Sequence, residues 1–287
     1  MKISTEIGSI ARRVGYEKAI EYCSKAGFDA FDFSMADMAS YDGKNDRVIV
    51  NKSTLGGDDY IKFVRKLKKV ADDNGIICNQ SHAPHPIFIP EIRSFLYRAI
   101  ECTAEIGGEI CIIHPNNYKP AEENAEMYFE LLPYAKEHNV KIAAENMWVW
   151  DYELEQALPG ACSCHQDFLK HMQVVNDEYL VACVDVGHAE LKGLDTSAVQ
   201  MIETLGGHLQ ALHIHDNDLR HDYHKLPGSM QIDYMPILKA LKRVKYNGYF
   251  TLEAYNHLSG YETDNIFRGV KEMADTARKF ANLFDEL

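Results

Sequence analysis

The sequence has no apolar run approaching the roughly 20 residues a membrane helix requires, so no span is expected. Its opening, Met1-Lys2-Ile3-Ser4-Thr5-Glu6, lacks a basic segment followed by a long apolar stretch; no export signal is expected, and a cytoplasmic location follows. Seven cysteines are an odd number for a disulfide framework, and Cys78, Cys102, Cys111 and Cys183 fall within apolar patterns, where a thiol behaves as a small hydrophobe. Positive charge is short: 30 Lys and Arg stand against 43 Asp and Glu, a net charge of -13. Gripping a nucleic-acid backbone needs a basic face, so the balance argues against DNA or RNA as a partner. The densest basic stretch, Lys62 to Lys69, carries Phe63, Leu67 and Val70 at helical spacing and reads as a solvated helix face. No Gly-x-Ser-x-Gly elbow is present, and no Gly-rich phosphate loop follows the first apolar run, which continues Ile7-Gly8-Ser9-Ile10-Ala11-Arg12.

What is there is a repeated alternation of a short apolar run with a longer amphipathic one. The expected strands are Ile3 to Ile7, Ala30 to Ser34, Ile76 to Ser81, Ile110 to His114, Lys141 to Asn146, Leu180 to Asp185, Gln210 to His215 and Tyr249 to Ala254. Helical periodicity is clearest at Ile92, Phe95, Leu96, Ala99, Ile100 and Thr103, and a final helix is expected from about Thr263. Parallel neighbours need crossovers, and eight strand–helix units favour closure into a (β/α)8 TIM barrel over a doubly wound sheet. With no linker or composition break, residues 1–287 read as one α/β domain. The long irregular stretches, Met35 to Gly57, Trp148 to Cys164 and Asn217 to Ile232, each follow a strand and should lie at the barrel mouth.

Chemistry concentrates where the strands stop. Successive runs end Gln80-Ser81-His82, Ile113-His114, Ala144-Glu145, Val184-Asp185 and His213-Ile214-His215, and the last contains Leu252-Glu253. In a barrel these ends ring one mouth, where barrel active sites lie. Converging carboxylates should repel one another and raise their pKa values, a cost that a divalent cation removes. Mixed carboxylate and imidazole donors suit Mn, Fe, Co or Zn, and Mg where oxygen dominates. Asp222 and His224, two apart, would point the same way from an extended backbone and could serve a second ion or the substrate. Cys162-Ser163-Cys164-His165 offers too few ligands for a structural zinc site and reads as chance. Trp148 and Trp150 follow Glu145 closely and suit either stacking on a sugar or loop packing.

Ala144-Glu145-Asn146, Val184-Asp185-Val186-Gly187-His188 and His213-Ile214-His215-Asp216-Asn217-Asp218 are the segments by which the chain resembles the xylose isomerase-like barrel superfamily. His224-Lys225-Leu226-Pro227-Gly228, Ile232-Asp233-Tyr234 and Gly248-Tyr249-Phe250 to Glu253 extend the likeness. That group holds sugar and sugar-phosphate isomerases and epimerases, inosose dehydratase-type enzymes and endonuclease IV. Likeness to its ketose epimerases implies one metal held by Glu145, Asp185, His213 and Glu253, with the two glutamates acting as acid and base and His188 touching substrate. Their substrate-binding Arg falls here at Leu219, beside Arg220. Likeness to endonuclease IV implies a wider ligand set, adding His82, His114, His188, Asp222 and His224, and so more than one ion. Against that nuclease activity stand the acidic balance and Gly228-Ser229-Met230 in place of its Gly-Glu-Gly.

The expected function is a metal-dependent sugar isomerase or epimerase that abstracts a proton alpha to a carbonyl through a metal-stabilised enediolate. Glu145 and Glu253 would be catalytic, His188, His82, His114 and Trp148 would contact substrate, and the cation would be Mn, Mg, Co or Zn. The alternatives are a multi-zinc phosphodiesterase cleaving abasic DNA, a dehydratase or lyase acting on a keto-sugar or inosose, and a non-catalytic sugar-binding barrel. The expected partner is a small carbohydrate, unphosphorylated because no Lys/Arg trio marks the last strand ends; a homo-oligomer is left open.

Overall fold

The computed structural model describes residues 1–42, 45, 47–49 and 53–287. Eight parallel strands carry the fold: β1 (Lys2–Thr5), β2 (Ala30–Ser34), β3 (Ile77–His82), β4 (Ile110–Ile112), β5 (Lys141–Glu145), β6 (Leu180–Asp185), β7 (Leu209–His213) and β8 (Tyr249–Leu252). Strands β2 to β7 pair in sequence order as one parallel sheet, and β1 pairs with β8 in register Lys2 to Tyr249 and Thr5 to Leu252. Two single-residue parallel bridges close the ring: Glu6 with Asp32 joins β1 to β2, and Ile214 with Leu252 joins β7 to β8. The result is the expected (β/α)8 barrel.

All six residues of β6 are buried, as a strand covered on one side by helices and on the other by the barrel interior must be. Helices return the chain between strands. In Tyr60–Asp73, the buried Val64, Leu67 and Ala71 recur at spacings of three and four. Phe63 and Val70, expected inward, are half-buried at its flanks. Its basic residues are on the solvent side, paired as Arg65 with Glu105, Lys66 with Glu17 and Lys69 with Asp73. The last helix, Ile266–Glu286, packs against β1 and against the helix Tyr16–Ala26 on the ring's outer face.

Four expectations change. The helix read through Ile92 to Thr103 is split into Pro90–Arg93 and Leu96–Ile106. The Phe95 amide bonds three residues back to Ile92, and Ser94 Oγ donates to the Glu91 carbonyl, so the turn tightens. Strand β4 stops at Ile112 rather than His114, because Pro115 has no N–H with which to extend a ladder. The stretch 148–164 is not irregular throughout: Trp148–Asp151 and Gln156–Pro159 form an antiparallel hairpin over the mouth. The stretch 35–57 includes a second hairpin, Ser40–Asp42 with Arg47–Ile49; residues 43, 44, 46 and 50–52 of it lie outside the described residues. No helix among the described residues is long and apolar enough to cross a membrane.

Candidate metal centre

Each late strand delivers a donor to the same mouth. Glu145 ends β5, Asp185 ends β6, His213 ends β7 and Glu253 follows β8. One ligand atom from each lies within 4.8 Å of the other three. Glu145, Asp185 and His213 are almost wholly buried, and Glu253 keeps 18% of its side chain exposed. His213 Nδ1 is 2.8 Å from Glu145 Oε1 and 3.8 Å from Glu253 Oε2. Asp185 Oδ1 accepts the His188 amide at 2.7 Å and so caps the turn Val186–Ala189. Its other oxygen, Oδ2, is buried with no hydrogen-bond partner among the described residues. An orphaned buried carboxylate oxygen inside a ring of carboxylates and imidazoles fits a divalent cation as its missing partner.

The neighbouring elements hold these donors still. Asn146 Oδ1 accepts the Asp185 amide at 2.8 Å, and its Nδ2 donates to the Asp185 carbonyl at 2.9 Å, tying β5 to β6. On the β3–β4 side, His82 Nδ1 donates to the Ala83 carbonyl, which leaves its Nε2 as an acceptor. The Nε2–H of His114 lies 2.8 Å from that nitrogen and 3.0 Å from Glu145 Oε2, shared between the two. On the β6–β7 side, His188 Nδ1 donates to the Asn146 carbonyl and His224 Nδ1 to the Glu253 carbonyl. Both Nε2 atoms then meet Asp222 Oδ2, at 3.2 and 3.0 Å.

The electrostatics separate the two glutamates. Burial raises the proton affinity of Glu145, but the charge of His213 and the hydrogen bonds from His114 and His213 outweigh this and hold its carboxyl well below the usual range. Asp185 is lowered too, burial being overcome by His188 and His215. Glu253 goes the other way: burial, with repulsion from Glu145 and Asp185, prevails over the pull of His213 and raises it to about 7. The general upward shift expected from clustered carboxylates is therefore wrong for two of the three, because imidazoles interleave them.

The expected metal ligands and substrate contacts all reach this region. His82, His114, Glu145, Trp148, His188, Asp222, His224 and Glu253 line one cavity of about 260 Å³, with His85, Met147 and Tyr255. Asp222 and His224 converge, though not from an extended backbone: His224 has φ 45, a left-handed turn that swings its ring back. Trp150 is set apart from the cavity lining and stacks obliquely on His221, whereas Trp148 lies edge-on to His188. Arg220 turns outward to Glu155, and Leu219 packs against the core. Cys164 merely precedes the helix His165–Val175. A larger cavity, about 500 Å³, opens at the opposite end of the barrel around Asn79, Glu109, Gln210 and Lys245 and, among the described residues, gathers no comparable donor set.

Three carboxylate or imidazole residues near the site were not given a role. Asp32, in mid-strand, lies 3.0 Å from His213 Nε2, and a carboxylate between Phe31 and Phe33 was the available signal. His215 was visible in the motif but assigned no role; it is fully buried, with Nε2 3.0 Å from Asp185 Oδ1. His85 stacks on His114, a contact no local pattern announces.

The sequence profile of the family described as xylose isomerase-like TIM barrel matches residues 20–280. Among curated proteins, an uncharacterized protein of Methanocaldococcus jannaschii, MJ1311, is 24% identical over 186 residues, 62% of this chain and 61% of its own length. Among solved structures, a D-tagatose 3-epimerase-like protein superposes with TM-score 0.72 at 19% identity, covering 100% of this chain and 99% of its own. An L-ribulose 3-epimerase gives TM-score 0.71 at 16% identity, covering 100% and 95%. At such identities the structural likeness speaks for the fold. The match to the family profile, over nearly the whole barrel, goes further: this chain belongs to the xylose isomerase-like TIM barrel family.

Proposed function

We propose that the chain is a metal-dependent isomerase or epimerase of a small, unphosphorylated carbohydrate. The observation that carries this reading is the pairing of Glu145 and Glu253 within one four-donor cluster, where their environments drive their proton affinities apart. Glu145, Asp185, His213 and Glu253 would hold one divalent cation of the Mn, Mg, Co or Zn kind. When bound, such an ion polarises a carbonyl and its neighbouring hydroxyl as a Lewis acid. Glu145, held ionised by its imidazoles, is placed to take the proton from the carbon beside the carbonyl. Glu253, across the cluster, would return a proton to the opposite face of the enediolate, giving an epimer, or to the adjacent carbon, giving an isomer. His188, His82, His114 and Trp148 line the cavity as substrate contacts. Among the described lining residues none is Lys or Arg, which suits an uncharged sugar. The names of the D-tagatose 3-epimerase-like and L-ribulose 3-epimerase neighbours are in keeping with that substrate class.

A second reading has one observation in its favour: the groups His82–His114–Glu145 and His188–His215–Asp222–His224 could each take an ion of their own, as a multi-zinc phosphodiesterase would require. The deciding experiment is metal analysis combined with a sugar panel run in deuterated water. Deuterium incorporation at the alpha carbon of a ketose, with no cleavage of abasic DNA, supports the isomerase. Cleavage without exchange in any sugar rejects it. A purely sugar-binding barrel would bind a panel member with no exchange at all.

A further inference from the structure

Asp32 is 0% exposed between Phe31 and Phe33, in the middle of β2 rather than at its mouth. A carboxylate taken out of water without compensation costs several kcal/mol, so its presence there needs a partner that requires it. Its Oδ2 receives two hydrogen bonds, from Gln80 Nε2 at 2.9 Å and from His213 Nε2 at 3.0 Å. Gln80 is itself held from below: its Oε1 accepts from Thr251 Oγ1 and from Asn79 Nδ2, and Asn79 Oδ1 accepts from Ser4 Oγ at 2.6 Å. The column spans β1, β2, β3 and β8 and ends on the β7 imidazole. No member of it below His213 faces the cavity at the mouth.

A neutral imidazole has one N–H and one lone pair. With a cation in the cluster His213 must be neutral, and Nε2–H committed to Asp32 then leaves the lone pair on Nδ1, the nitrogen that faces Glu145 and Glu253. We propose that Asp32 is the positioning residue of the cluster: through the Asp32–His213 hydrogen bond it fixes the tautomer and tilt of His213, so cation binding depends on a side chain that never touches the cation. A carboxylate does this where an amide would not. It can only accept, whereas an amide can turn its NH2 toward Nε2 and leave the hydrogen on Nδ1, where it blocks the ion. The anion also strengthens the imidazole as a donor of electron density, an effect whose loss costs about 10- to 100-fold in metal affinity at comparable sites.

This inference rests on the proposed four-donor site, and the test separates the two. Zinc and cobalt affinities would be measured by competition with a chromophoric chelator for the wild type, Asp32→Asn and Gln80→Met, with thermal melts on each. Expected is a tight wild-type site, a loss of about 10- to 100-fold in Asp32→Asn, and near wild-type affinity in Gln80→Met despite a lower melting temperature. Wild-type affinity in Asp32→Asn overturns the proposal while leaving the four-donor site standing; equal losses in both variants, tracking their melting temperatures, overturn it as a merely structural effect. A wild type that binds neither ion overturns both readings. Should Asp32→Asn not fold, the zinc-loaded wild type answers by itself: long-range ¹H–¹⁵N spectra should show the His213 hydrogen on Nε2, and a hydrogen on Nδ1 refutes the assignment.

Discussion

At the scale of single residues, what distinguishes the site is that like groups are made unlike by their neighbours. Glu145 is surrounded by three imidazoles that stabilise its charge, whereas at Glu253 burial and the neighbouring carboxylates outweigh the imidazoles beside it. Changing Glu253 to Gln removes a proton carrier but little volume, and should lower the exchange rate of the alpha proton by about 10²- to 10⁴-fold, read by NMR in deuterated water. An undiminished rate would leave only a binding role. The same environments couple cation binding to pH. Burial works against protonation of His213 and His188, yet the carboxylates around them raise both well above the usual imidazole range. Glu253 is protonated below about 7. Every one of these protons opposes a cation, so affinity should rise with pH through neutrality and fall below it, with proton release visible as buffer-dependent heats in calorimetry. A pH-independent affinity would mean that the ion sits elsewhere. Glu145, Asp185, His213 and Glu253 stood among the acids and imidazoles readable at strand ends, and the family resemblance picked those four out. Asp32 was not, because the sequence does not say which interior residue lies beneath a given strand end.

At the scale of elements, the short turn after β6 and the hairpin after β5 matter most. Gly187 stands in the first of these, and a Cβ there would be 1.9 Å from His215 Cε1. The ring has no room to yield, being stacked on His224 at 3.8 Å. Gly187→Ala should therefore destabilise the fold by about 1–3 kcal/mol, read as a lower denaturant midpoint at unchanged slope, and should weaken cation binding as His188 and Asp185 shift. Trp148, the proposed substrate contact, stands on the hairpin Trp148–Asp151/Gln156–Pro159. Trp148→Ala should raise KM with little change in kcat, whereas Trp150→Ala, whose ring packs on His221 outside the cavity, should do less. Equal effects would place the sugar over both rings. The hairpin escaped sequence reading because four-residue strands joined by Tyr152-Glu153-Leu154-Glu155 leave too short an alternation to count.

At the scale of the whole molecule, a ring of strands puts donors from residues 145 to 253 around one point, so an ion there ties four strands together. Binding only the folded state, a cation at a hundred times its Kd should add about 2.7 kcal/mol. Calorimetry should therefore show a melting temperature raised by several degrees and returned by chelator; an unmoved transition would deny the site. The sequence by itself determined the barrel: eight apolar runs too short for anything but strands, amphipathic returns between them, and acids or imidazoles after the last six. Those are local properties, fixed by side-chain periodicity and by where apolar character stops. It did not determine the split at Ser94, the early end of β4 at Pro115 or the hairpin over the mouth, since each depends on which backbone groups find partners in space. Nor could it say that Glu145 is held ionised while Glu253 is not, or that Asp32 reaches His213. Proton affinity and hydrogen bonding depend on distances across the barrel, and only closure of the ring brings residues 181 positions apart to within 3.0 Å.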